Sequence, residues 1–196
     1  MTTYEAFVHT YPHLRGILGA TLRLPVLGPG KPVDSMQALL AALDVKQLFA
    51  SKPIQDAVAA NCCLSGIWLL YDFLDESHRL SQEIHSVDGS YWHGIMHRRE
   101  PDYGNAKYWF HRVPQHPIFT ALTEEARTLA SDAASDPPAD FLRTQPTWDA
   151  DAFVDLCQAI AQKRSTSEHL AREIALAEWR LLFQHCYGQA IGAENR

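Results

Sequence analysis

Apolar residues recur at intervals of three and four along most of the chain and hardly anywhere at intervals of two, which predicts helices throughout. A first helical segment covers Tyr4–Leu18. It gives way to LRLPVLGPGKPVD, whose prolines and glycines exclude a regular element. Asp34, with Gln37 three residues on, opens a helix in which Met36, Leu39, Leu40, Leu43 and Leu48 repeat at helical spacing as far as Phe49. From Ile54 to Ser86 no Gly-Pro punctuation intervenes, and Leu70, Phe73, Ser77, Leu80, Ile84 and Val87 form one apolar stripe. That pattern predicts a single long helix as the spine of the fold.

Ile118–Ala130 reads as a helix and SDAASDPPAD as a surface loop. Thr147 or Asp149 caps a helix reaching Lys163. Ser165 to Glu168 forms a capping box for a last helix ending near Ala190, with Leu170, Ile174, Ala177, Leu181 and Gln184 in line and Trp179 and Phe183 widening the buried face. The expected architecture is a single all-α domain over 1–196. The Ile54–Ser86 helix lies at its centre, the last two helices pack on it, and 88–117 forms a partly irregular cap across one end.

A length of 196 residues, 46% of them hydrophobic, suffices for one core and scarcely for two. The net charge of −6 disfavours a nucleic-acid partner. No apolar run approaches a membrane span, and MTTYEAFVHTYPHLRG lacks a basic region followed by an apolar one, so a soluble, cytoplasmic protein is expected. Cys62 and Cys63 are adjacent, while Cys157 and Cys186 stand alone in helical patterns. They read as buried thiols, and adjacent cysteines on a helix point too far apart for half of a zinc site of the usual spacing.

The stretch from Asp88 to Pro117 departs from this regularity, packing four histidines, four Arg or Lys and six aromatic rings into thirty residues with no clear period. Such a composition supplies proton carriers, rigid walls and anion-binding forks. Within Tyr91–Glu100, helical geometry places His93, His97 and Glu100 on one face, a set able to ligate a divalent metal with positions left open. Pro101 weakens that set, because it disfavours helical geometry at Glu100, which then sits where the helix ends and points elsewhere. The competing reading is two half-buried histidines hydrogen-bonded to backbone or carboxylates.

Upstream, Tyr71, Asp75, His78, Gln82 and His85 flank the apolar stripe. Asp75 and His78 lie close enough to share an ion or to act as a carboxylate-oriented base; an Asp75–Arg79 surface pair is the plainer alternative. His78 and His85, about 10 Å apart along a helix, cannot share one ion. A di-iron reading would need a second copy of Asp75-Glu-Ser-His78, which the chain lacks. The His93-x-x-x-His97 pair resembles that of the DinB type of bacterial helical bundles, in which one histidine from another helix joins such a pair. That resemblance implies His78 or His85 as the third ligand. The string YWHGIMHRREPDYGNAKYWF also resembles the marker of a group of helical proteins, and it brings no activity with it.

Residues 89–117 carry +2 while the remainder carries −8, and a positive island in an acidic chain points to a small anion. Arg98, Arg99 and Lys107 would hold that anion, Tyr91, Trp92 and Trp109 would wall it, and His93, His97 or His111 would transfer protons. The internal alternative pairs these arginines with Asp72, Asp75 or Glu76. The functional expectation is therefore a small-molecule site, with a hydrolase or other metal-dependent enzyme as the catalytic form. A non-catalytic interaction module using the same aromatic and Arg patch is the reading from a different class.

Overall fold

The structure, a computed structural model, describes residues 3–19, 24–50 and 52–193. These form an all-α domain, and no strand occurs among the described residues. The chain opens with α1 (Thr3–Thr10), α2 (Arg15–Leu18), α3 (Asp34–Ala42) and α4 (Val45–Leu48). The middle comprises α5 (Ala57–Leu70), α6 (Leu74–Ser81), α7 (Val87–Arg99) and α8 (Tyr103–Phe110). It closes with α9 (Phe119–Ser131), α10 (Phe141–Thr144), α11 (Ala150–Ala161) and α12 (Glu168–Ala190). No helix among the described residues is long and apolar enough to cross a membrane.

The expected Ile54–Ser86 spine is two helices. Asp72 adopts a left-handed backbone, φ 64°, between α5 and α6. Asp tolerates that conformation better than most residues, so the break needs neither glycine nor proline. The Asp72 carboxylate is buried and ion-paired to Arg99, which anchors the turn to the end of α7. The spine is instead α12, about 34 Å long at 1.5 Å per residue. Its Leu170, Ala171, Ile174 and Ala177 belong to a core shared with α9 and α11, while Trp179, Leu182, Phe183 and Cys186 belong to the larger core around α1, α5 and α7.

Residues 88–117 are likewise no irregular cap. They form α7, α8 and the turns that bound them, and α7 runs through the protein interior with every residue from Gly89 to Arg99 buried. A helix enclosed on all sides has no solvent face and hence no polar period. Two glycines permit this enclosure. A Cβ on Gly66 of α5 would come within 2.6 Å of the Trp92 ring, and one on Gly94 would come within 2.8 Å of Phe110 on α8.

The start of α12 also differs from the capping-box expectation. Asp136, in the loop after α9, accepts from the Thr166 and Ser167 amides at 3.0 and 3.1 Å and from both the Ser165 and Ser167 hydroxyls. A carboxylate from another segment thus satisfies donors that the local serines leave open.

Candidate metal centre

Helices α6 and α7 are joined by a short turn whose Ser86 hydroxyl accepts from the Gly89 amide at 3.0 Å and caps α7. The turn sends α7 back alongside α6, so the i, i+4 pair His93 and His97 faces His78. The His78 ring centre lies 4.9 Å from that of His93 and 5.2 Å from that of His97. One ligand atom from each of the three falls within 4.8 Å of the others. His93 and His97 are buried, and His78 is half-buried toward solvent.

The decisive distance is 2.8 Å between Nε2 of His93 and Nε2 of His97. Which nitrogens carry hydrogen follows from the partners on the far side of each ring. His97 Nδ1 lies 3.1 Å from the Glu100 carboxylate, an acceptor, so its proton sits on Nδ1. His93 Nδ1 lies 3.3 Å from Ser81 Oγ, which stands equally far from the His78 carbonyl oxygen, so the serine accepts from His93 Nδ1–H when it donates to that carbonyl and donates to Nδ1 otherwise. With both protons on Nδ1 the two Nε2 lone pairs face each other and a cation fits between them; with the His93 proton on Nε2 the same 2.8 Å contact is an N–H···N hydrogen bond.

In the first arrangement an added proton is a poor source of that charge. Burial, followed by the neighbouring His97 and His78, pushes the His93 pKa down to about 4. Burial also lowers His97 against the opposing pull of Glu100. Both rings are thus neutral at neutral pH. With metal–nitrogen bonds of about 2.0–2.1 Å, adjacent ligand atoms stand about 3.0 Å apart at octahedral angles and about 3.4 Å at tetrahedral ones. The 2.8 Å separation approaches the octahedral edge.

Compared with family models, curated proteins and solved structures, the chain matches none. The chemistry of the site accordingly rests on its geometry.

A second group, unremarked in the sequence because its members come from three separate segments, joins Asp88, His116 and His185. Asp88 Oδ1 lies 2.8 Å from His116 Nε2 and 3.3 Å from His185 Nε2. Burial raises the Asp88 pKa, but hydrogen bonds from His116 and His185 outweigh it and hold the carboxyl well below the usual carboxylate range. Here the protons are already placed: His116 Nδ1 accepts from the Ile118 amide at 3.4 Å, so Nε2 bears the hydrogen it donates to Asp88. No lone pair of His116 is offered to a metal. The group ties the start of α7, the turn before α9 and α12 together.

The other sequence candidates do not converge on the three histidines. Arg98 is buried in an ion pair with the fully buried Glu178 of α12, its guanidinium 4.6 Å from the Phe153 ring centre, and Arg99 is buried against Asp72. Neither presents a fork to a solvent anion, so the internal-pairing alternative describes them. Trp92 is core, packed on Gly66 and Trp179, and Tyr91 packs on Phe110 and His116. Lys107 pairs with Asp155 at 2.7 Å and His111 with Asp151 at 2.7 Å, both fastening α8 to α11. The proposed interaction patch loses its buried members with them.

Two expected residues do border the cluster. Trp109 stacks on His93 with ring centres 4.1 Å apart and 27° between planes, and the Arg112 guanidinium lies 5.0 Å from the Trp109 ring centre. Glu100, just past the end of α7, reaches Nδ1 of His97, so it orients that ring instead of joining the set. Asp75 is exposed in the first turn of α6 and lies outside the set, as does the exposed His85. Ser81 and Asn105 were not foreseen. Ser81 falls one helical turn after His78, a spacing that could have drawn attention to it.

Proposed function

We propose that the protein binds one divalent transition metal through His78, His93 and His97 and uses the remaining coordination positions for a small anionic ligand or an activated water. The observation that carries this reading is the 2.8 Å approach of the two Nε2 atoms, with an oxygen behind each ring at Nδ1. Carboxylate support of a ligating imidazole, as Glu100 gives His97, fixes its orientation and raises its basicity. His78 is the half-exposed member, with a ligand nitrogen within 4.8 Å of the other two, and binding would need its side chain to turn toward them.

Imidazole donors suit zinc, iron, copper or nickel. Three neutral ligands leave the ion its full charge, which attracts an anion and makes a bound water acidic enough to ionise near neutral pH. Such a centre favours hydrolytic chemistry at a carbonyl or phosphoryl group. Trp109, stacked on His93, covers one side of the ligand set and limits water there. The four unpaired, buried thiols support a reducing compartment such as the cytoplasm.

The test is the metal content of the purified protein and of metal-stripped protein titrated with zinc. About one ion per chain is expected, and His93→Ala with His97→Ala should abolish it while far-ultraviolet circular dichroism stays helical. A wild-type chain with neither resident metal nor affinity for zinc would falsify the proposal.

A further inference from the structure

The carboxamide of Asn105 lies 3.1 Å, through Nδ2, from His97 Nε2, the same atom that faces His93. Resting on the three-histidine reading above, we infer that Asn105 is a fourth protein ligand to the metal, binding through its carboxamide oxygen. With a cation at His97 Nε2, the amide N–H would point its positive end at a positive ion and compete for a lone pair already in use. Rotating the carboxamide by half a turn exchanges nitrogen for an oxygen of nearly the same size. The oxygen then stands about 3 Å from His97 Nε2, the length of a coordination edge for bonds of about 2.1 Å. The contact to His97 is the only hydrogen bond recorded for this carboxamide among the described residues, so nothing else holds it in the opposite orientation.

The backbone places this group deliberately. Helix α7 ends at Arg99, the Asp102 amide donates to the His97 carbonyl oxygen at 3.0 Å, and the Asp102 carboxylate caps α8 by accepting from the Asn105 amide at 3.2 Å. Phe110 against Gly94 then seats α8 on α7. The nearby acids are committed elsewhere, Glu100 to His97 Nδ1 and Asp102 to the cap, which leaves the neutral Asn105 as the oxygen donor. Three nitrogens and one amide oxygen preserve the full charge of the ion.

The experiment is a titration of the metal-stripped full chain with Co2+, read by visible absorption, for wild type, Asn105→Ala, Asn105→Asp and His93→Ala. Asn105→Ala should weaken binding by roughly 10–100-fold, on the scale of lost metal-site partners, and change the ligand-field bands. Asn105→Asp, which keeps an oxygen at that position, should restore affinity to at least the wild-type level. Binding and bands unchanged in Asn105→Ala, with the site still lost in His93→Ala, would overturn the role of Asn105 alone. Failure of the wild type to bind Co2+ would overturn it together with the three-histidine site. Asn105 is half-exposed, so thermal melts of the variants should match wild type and separate loss of a ligand from loss of fold.

Discussion

Replacing Glu178 with Ala should be among the most damaging single changes on α12. Its side chain is wholly buried and paired with Arg98, itself 3% exposed at the side chain. Truncation leaves a guanidinium with no counter-charge in a region walled by Phe110 and Phe153. Removing one member of a buried pair costs about 3–5 kcal/mol, because the remaining ion keeps its desolvation penalty and loses its compensation. Against a total stability of roughly 5–15 kcal/mol for a domain, that is a large share. At about 2–4 °C per kcal/mol for a chain of this size, the melting temperature should fall by roughly 6–20 °C. The double variant Arg98→Met with Glu178→Leu removes both charges while filling the space, and should recover most of the loss. Urea unfolding of wild type, both single variants and the double variant gives the coupling directly. A cost below about 1 kcal/mol for Glu178→Ala would mean a solvated pair and would refute the placement of α7 inside the protein.

Three further outcomes are expected of the same fold. The ordinary His93 pKa is 6.5 and its folded value about 4, so below pH 6.5 the unfolded chain takes up a proton that the folded chain refuses; the metal-free protein should lose stability as pH falls from 6.5 to about 4. Urea midpoints across that range should slope less in His93→Gln, and an equal slope would assign the acid sensitivity elsewhere. Gly66→Ala drives a methyl against the Trp92 ring and should cost about 1–3 kcal/mol in a thermal melt, whereas no cost would place α5 and α7 further apart. Asp136→Ala strips four donors of their acceptor at the start of α12 and should cost about 1–3 kcal/mol, with amide exchange rising first at Thr166 and Ser167.

What the sequence revealed depends on how each element meets solvent. Helix α12 was legible because Leu170, Ile174 and Ala177 recur on one face, and α9 for a similar reason. Helix α7 was not, since it is enclosed on every side and its polar groups are consumed by partners far along the chain, Arg98 by Glu178 eighty residues away. The break at Asp72 escaped notice because the side chain that stabilises it, Arg99, lies outside any local window. His93 and His97 were legible as an i, i+4 pair, with His78 a named candidate. Their oxygen partners at Nδ1, and the approach of Asn105 from α8, depend on how the turns after α6 and α7 fold back.

The central claim is that His93 and His97 each keep the proton on Nδ1 and turn Nε2 toward a shared metal ion. Long-range 1H–15N correlation spectra of the histidine rings, recorded before and after zinc is added to the stripped protein, measure this directly. Both rings should show the Nδ1–H form at neutral pH, and zinc should displace the Nε2 resonances of His93, His97 and His78 while leaving those of His116 and His185 in place. A ring carrying its proton on Nε2 in the presence of zinc, or Nε2 resonances of His93 and His97 that do not respond to the metal, would contradict it.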